Sequence, residues 1–325
     1  MDPRAAIVEI LRDSVRTLIV CHVNPDGDCL GAGLALVAAL RRLGVTATMA
    51  SADGVPASLS FLSGTDGVVT AVADEGNFPV AVTIECTSLD RAGRLAPAVQ
   101  QARTIIAIDH HQDPPPYAHV TDWDPRAAAV GEQVADIITR LGVEIDRPIA
   151  QNLLAALVTD TGVFRYSNTT PRSLRLAATL MERGATIHEI VRAVYEDQPA
   201  SSLRLLGRAL AGLTLHAGGA VAATVVTQAM LAEAGARWEE TSGIAAALRT
   251  ITGVRLALVF EERDGSMRVS IRSRGEARAD RIAQALGGGG HPAAAGADVV
   301  GAPDETVARV LALAAREVAG TGDDA

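Results

Sequence analysis

The chain has 325 residues, 48% hydrophobic and 21% charged, enough for two domains of about 100–200 residues each and too apolar to be disordered. A net charge of −9 and 3% aromatics exclude a long duplex nucleic-acid footprint and an extended base-stacking platform, but not a small anionic substrate held by metals and a few arginines. Charges run through the first residues and no stretch approaches the roughly 18 consecutive apolar residues of a membrane span, so a soluble cytoplasmic protein is expected.

In chain order, residues 5–12 predict an amphipathic helix and 18–21 a buried strand. Then comes His22-Val23-Asn24-Pro25-Asp26-Gly27-Asp28, with turn formers ahead of Leu30, Leu34 and Val37 at helical spacing. The stretch reads strand, tight turn, helix, with an imidazole and two carboxylates in the turn. Gly27 lets Asp26 and Asp28 aim at one point, where they repel unless a cation sits between them. The mixed nitrogen and oxygen set suits Mn, Zn or Fe better than Ca. The competing reading makes Asp28 an N-cap, Asp26 a turn residue and His22 a satisfied strand-end histidine.

A second strand is expected over 45–50, a short helix over 57–62, a short strand over 68–72 and a central strand over 80–84 that ends in Glu85-Cys86-Thr87. The strand over 104–108 runs into Asp109-His110-His111. Helices follow over 127–141 and 149–157, the latter running into Thr159-Asp160-Thr161-Gly162, and over 172–182. This alternation argues for an α/β domain with a largely parallel sheet, whose sites form beyond the carboxyl ends of the strands. His22, Glu85 and Asp109-His110-His111 all fall there, which favours the metal reading over the capping one.

A helix over 187–196 is broken by Asp197-Gln198-Pro199 before helical spacing resumes over 203–210. The linker is placed over 187–208, between domains 1–186 and 209–325. The second domain predicts strands over 220–226, 254–261 and 267–271, the last two joined by an Asp264-Gly265 hairpin turn, with helices over 228–233, 244–250, 279–286 and 307–317. Residues 320–325 read as a frayed tail. The three cysteines, Cys21, Cys29 and Cys86, give no disulfide framework and no zinc-finger spacing; Cys21 and Cys86 read as small packing residues on strands.

His22, Asp26, Asp28, Glu85, Asp109, His110, His111 and Asp160 are too many for one metal. They suit two ions bridged by a carboxylate, which bind a water between them, lower its pKa and clamp phosphoryl oxygens. Adjacent His110 and His111 cannot share a role from a regular strand. One is a ligand and the other faces substrate as a phosphate contact or proton donor, with Asp109 orienting an imidazole. Gly287-Gly288-Gly289-Gly290-His291 reads as a backbone N–H nest for an anion, or else as a flexible loop. Arg272 and Arg274 share a face if their strand continues that far, and recognise phosphate or form a solvated edge.

His22-x-Asn24-Pro25-Asp26-Gly27-Asp28, Asp109-His110-His111, Thr159-Asp160-Thr161-Gly162 and Gly287-Gly288-Gly289-Gly290-His291 together resemble the motifs of the DHH/DHHA1 phosphoesterases, in the family order and over nearly the whole chain. The branch resembled is that of the bifunctional oligoribonucleases and 3′-phosphoadenosine-5′-phosphate phosphatases. The resemblance implies an N-terminal DHH domain and a smaller α/β DHHA1 domain with the active site in the cleft between them. It implies two manganese ions, one on His22 and Asp26, the other on Asp28, His110 and Asp160, with the carboxylate of residue 85 bridging. It also puts His111 near the scissile phosphate. Arg272 and the Gly289-Gly290-His291 region would hold the far phosphate or nucleotide end, with Arg165 a weaker substrate-side candidate. The family carries Asp where this chain has Glu85, whose extra methylene bears on metal spacing and preference. Asp90 lies too far along the chain to take its place without a loop reversal.

The function implied is a manganese-dependent phosphoesterase that cuts short RNA oligonucleotides to 5′-mononucleotides and 3′,5′-bisphosphonucleoside (pAp) to AMP. Alternatives are a cyclic or linear di-adenylate phosphodiesterase, a processive single-strand DNA exonuclease, and a catalytically degenerate nucleotide sensor. A homodimer is allowed by family analogy. Asp28→Ala is expected to abolish turnover and leave the fold intact.

Overall fold

The computed structural model describes residues 2–72, 78–112, 114–241 and 243–320. The side chain of His291 and the tail 321–325 lie outside this description. The chain divides between Asp197 and Gln198 into two compact units.

The first unit holds β1 (Arg16–Cys21), β2 (Thr46–Ala50), β3 (Val80–Ile84), β4 (Thr104–Asp109) and β5 (Val120–Trp123) in one parallel sheet of order β2-β1-β3-β4-β5. Its helices are α1 (Pro3–Asp13), α2 (Gly27–Arg42), α3 (Ala96–Gln100), α4 (Val130–Arg140), α5 (Arg147–Asp160), α6 (Pro171–Glu182) and α7 (Ile187–Val191). Strand alternation divides the core. Ile19, Val82, Ile84, Ile106 and Ile108 face a large cluster with α1, α2, α4 and α5, whereas Leu18, Val20, Ala81 and Ile105 pack with Leu95 and Val99 on the other side. In this strand order the connections reverse between β1 and β3, and the crevice beyond their carboxyl ends is the expected binding place. Cys21 pairs with Ile84 and Ile84 with Ile108, so the residues that follow (His22, Glu85 and Asp109) emerge side by side, about 4.8 Å apart.

The helix α2 is apolar nearly all round and is buried accordingly. At Gly31 an added Cβ would stand 2.4 Å from the Asn152 carbonyl oxygen of α5. Glycine therefore permits the close approach that brings the start of α2, with Asp26 and Asp28, to the end of α5, with Asp160.

The second unit carries β6 (Thr214–His216), β7 (Val221–Val226), β8 (Leu256–Arg263), β9 (Ser266–Ser273), β10 (Gly289–His291) and β11 (Ala294–Val300), in the order β10-β11-β9-β8-β7-β6. Only β7 and β8 pair in parallel. Its helices are α8 (Ala200–Ala211), α9 (Gln228–Ala234), α10 (Ile244–Leu248), α11 (Ala279–Ala285) and α12 (Pro303–Gly320). One sheet face packs on α11 and α12, and the β7–β8 part of the other face packs on α8, α9 and α10. The expected Asp264-Gly265 turn joins β8 to β9, with Gly265 at φ +73°.

Three expectations are corrected. Residues 68–72 do not form a strand: only Val69 bridges, to Ala50, because the run lies outside the sheet edge at β2 and follows directly on a tight turn over Thr65–Gly67. The four-glycine run is not an open nest. The Gly287 and Gly288 amides donate to the Gln284 and Ala283 carbonyls at the end of α11, and Gly289–His291 is an edge strand. A Cβ on Gly288 would stand 2.2 Å from the Gly296 carbonyl oxygen, so packing against β11 itself demands glycine here. Finally, β9 stops at Ser273, so Arg274 leaves the face that carries Arg272, and its amide donates to the Arg255 carbonyl. The strands β5, β6, β10 and β11 are not anticipated by the sequence pattern.

Candidate active site

The crevice beyond β1, β3 and β4 gathers His22, Asp26, Asp28, Glu85, His110, His111 and Asp160. Three sets have ligand atoms mutually within 4.8 Å: His22, Asp26, Cys29 and Glu85; Glu85, His110 and His111; Asp28, His110 and Asp160. Glu85 and His110 link the sets.

Each side chain is held by its own local chemistry. Asp26 is the N-cap of α2, its Oδ1 accepting the Asp28 and Cys29 amides at 3.0 Å each. Its Oδ2 is left towards His22 Nε2, 3.8 Å away. Asp28 is fully buried and accepts the Val130 amide at 2.7 Å and the Gly131 amide at 3.0 Å from the start of α4, where backbone N–H groups and the helix dipole favour an anion. The capping reading therefore belongs to Asp26, which keeps one oxygen free for a ligand.

Both metal-candidate histidines are oriented by backbone. His22 Nδ1 donates to the Val23 carbonyl at 2.8 Å and His110 Nδ1 to the Ala127 carbonyl at 3.0 Å. Each thereby presents Nε2 to the carboxylates, as a metal ligand must. His110 Nε2 stands 3.1 Å from Glu85 Oε1 and 3.8 Å from both Asp28 Oδ2 and Asp160 Oδ2. Glu85, at φ +56°, is 1% exposed, and its Oε2 has no hydrogen-bond partner. A non-glycine residue in this region persists where the surroundings dictate it. Asp90 is exposed in the segment after β3 and is not in the cluster.

Asp109 and His111 form the pair expected of them: His111 Nδ1 lies 2.6 Å from Asp109 Oδ1, which also accepts the His111 amide at 2.8 Å. Asp160, at the end of α5, accepts from Asn168 Nδ2 at 3.1 Å. Arg165 is exposed and its Nε donates to the Gly162 carbonyl at 2.7 Å.

The electrostatics ask for a cation. Burial pushes the Glu85 carboxyl up to about 8, with Asp26 adding and His110 opposing. Burial and the Glu85 charge raise Asp28 well above the usual carboxylate range. Burial and Asp26 lift Asp160 to about 6 against the pull of His110. Burial would lower the histidines, but Cys29 and Asp26 carry His22 to about 9, and Glu85 and Asp160 carry His110 well above its ordinary value. Crowded anions holding protons that a divalent ion would replace, together with the unpartnered Glu85 Oε2, fit a metal site.

Two participants gave little sequence signal. Cys29 stands three residues past Asp26, a helical spacing that places both on one side of the helix start. Asn168 reaches Asp160 through a non-helical turn that no spacing rule announces.

In the second unit, Arg272 pairs with Ala294 and Ala294 with His291, while Ser270 pairs with Gly296 and Gly296 with Gly289. These positions share a sheet face; Gly290 points to the other, and Arg274 lies past the strand end.

The fold and this constellation define a hydrolase of the phosphoesterase class whose acidic and histidine clusters are able to hold metal. Residues 16–159 match the DHH family N-terminal domain and residues 218–320 the DHHA1 domain, and the chain belongs to the DHH family of phosphoesterases. It is 35% identical over 305 residues, 94% of this chain and 90% of the other, to the bifunctional oligoribonuclease and PAP phosphatase NrnA of Thermus thermophilus. Its fold is similar to that of an exopolyphosphatase-related protein from Bacteroides fragilis (TM-score 0.89, 23% identity, 97% and 95% of the two chains). It is also similar to that of the exonuclease RecJ bound to manganese (TM-score 0.54, 16% identity, 96% and 94% of the two chains).

Proposed function

We propose that the chain releases 5′-mononucleotides from short RNA oligonucleotides and converts pAp to AMP, using two divalent ions, Mn2+ first among them. One observation carries the reading: Glu85 joins the His22–Asp26 set to His110, which is also a member of the Asp28–Asp160 set. His22 and Asp26 hold one ion, Asp28, His110 and Asp160 the other, and Glu85 serves both. Such ions supply Lewis acidity toward phosphoryl oxygens and a water acidic enough to ionise near neutral pH. His111, fixed by Asp109, faces the reacting phosphate and donates a hydrogen bond or a proton to it.

The likeness to NrnA supports the substrates, and RecJ, crystallised with manganese, supports the metal. In the second domain (209–325), Arg272, Gly289 and His291 hold the far phosphate or nucleotide end, with Gly290 and Arg274 in lesser roles; the catalytic groups and the weaker substrate-side candidate Arg165 belong to 1–186. A cytoplasmic location fits three buried free thiols. A homodimer rests on family analogy, and the expectation that duplex nucleic acid is not a substrate rests on the acidic charge. The test is hydrolysis of a 5′-phosphorylated adenylate dinucleotide and of pAp, with and without Mn2+. Manganese-dependent AMP release from both is expected. Cleavage of pAp alone removes the nuclease half, and binding without cleavage of either turns the protein into a sensor.

A further inference from the structure

Cys29 is the one member of the cluster that the function above leaves idle. Its Sγ, a carboxylate oxygen from each of Asp26 and Glu85, and an imidazole nitrogen of His22 all lie within 4.8 Å of one another. The side chain is fully buried on the first turn of α2, and its thiol is directed at the Asp26 carbonyl at 3.6 Å, a weak hydrogen bond. Independently, Glu85 presents a second carboxylate oxygen, Oε2, that is buried and has no hydrogen-bond partner, an arrangement that calls for a ligand. The other two thiols are not in the cluster: Cys21 belongs to the apolar core and Cys86 Sγ donates to the Ile84 carbonyl.

We propose that Cys29 is a thiolate ligand of the cation held by His22, Asp26 and Glu85, making that half of the centre selective for Zn2+, Co2+ or Fe2+ over Mn2+. The inference rests on the metal-dependent reading above. Coordination forms a sulfur–metal bond and breaks S–H, the proton leaving to solvent, with no oxidant needed. One nitrogen, two oxygens and one sulfur make a tetrahedral donor set. Bonds of about 2.0–2.3 Å place its ligand atoms roughly 3.3–3.8 Å apart, a contraction of at most about 1.5 Å from the present spacing. Thiolate shifts preference toward softer ions, whereas the Asp28, His110 and Asp160 half carries only nitrogen and oxygen and remains suited to Mn2+. The two halves thus differ in donor chemistry and in the ion each prefers, while Mn2+ at sufficient concentration can still fill both.

Cobalt titrated into the metal-free full-length protein tests this without reference to turnover. A near-ultraviolet thiolate-to-cobalt charge-transfer band is expected. It is lost in Cys29→Ser and Cys29→Ala and kept in Cys21→Ala and Cys86→Ala, with far-ultraviolet circular dichroism confirming each fold. By calorimetry, Cys29→Ser weakens Zn2+ binding roughly 10–100-fold and Mn2+ binding far less. Cobalt binding by the unaltered protein without the band, or a band that survives both Cys29 substitutions, overturns the thiolate assignment and leaves the metal-dependent reading standing. No binding of any divalent cation overturns both.

Discussion

His110 Nε2 stands 3.1 Å from Glu85 Oε1, and both side chains are almost wholly buried, at 7% and 1% exposure. The pair spans the gap between the two metal-candidate sets. The left-handed backbone at residue 85, φ +56°, sets the direction in which its side chain leaves β3, and His110 receives its end.

Glu85→Gln keeps the shape and removes the charge. Because burial and Asp26 push the Glu85 carboxyl up to about 8, an ionised Glu85 above that pH opposes folding of the metal-free protein. The variant should therefore melt higher than the unaltered protein at pH 9 without metal, yet lose Mn2+-dependent turnover by about 100-fold or more. Full activity in the variant removes Glu85 from the ligand set.

Metal should stabilise the protein more as pH rises. Glu85 is raised from 4.5 to about 8 and His22 from 6.5 to about 9. The Glu85 contribution is complete below its unfolded value and lost as pH passes 8; that of His22 is complete below 6.5 and lost as pH passes 9. The metal-free melting temperature then falls between pH 6 and 9, while the metal, which replaces those protons, binds better. Scanning calorimetry with and without Mn2+ should show a larger metal-induced shift at pH 9 than at pH 6. A pH-independent shift contradicts the assignment of these groups as ligands.

The expectation that Asp28→Ala leaves the fold intact does not survive the geometry. The carboxylate satisfies the buried Val130 and Gly131 amides, and removing it strands both at a cost of about 1–3 kcal/mol each. Asp28→Ala should lose activity and melt well below the unaltered protein. Asp28→Asn keeps an acceptor, so it should lose activity with a smaller fall in melting temperature. Equal melting temperatures for all three proteins count against the α4 anchor.

Much of the site was legible because its residues are punctuated by strand ends, which hydrophobic runs mark clearly: His22, Glu85 and Asp109 each follow or close such a run. The short strands β5, β6 and β10 escape the pattern because three or four residues give alternation nothing to work on, and β11 because its Ala294-Ala295-Gly296-Ala297 start carries no bulky side chains to alternate. The glycine run was misread for another reason. Its composition reports tolerance of close approach, and the neighbour is the backbone of β11. The anchoring of Asp28 by α4 joins positions about a hundred residues apart and is invisible to any local pattern.

The sheet face of the second unit separates Arg272 from Arg274. Arg272 stands in β9, in line with Ala294 and His291, while Arg274 lies past the strand end. A guanidinium placed for phosphate contributes charge-assisted hydrogen bonds, so Arg272→Ala should raise KM for both the adenylate dinucleotide and pAp roughly 10–100-fold. The value of kcat should change little, because the proposed function assigns the reacting phosphate to residues of the first unit. Arg274→Ala should leave both constants nearly unchanged. Metal affinity, followed by calorimetry, should be the same in all three proteins. Steady-state kinetics at fixed ionic strength decide the matter: equal effects of the two substitutions, or a fall in kcat with KM unmoved, would place the phosphate contact elsewhere.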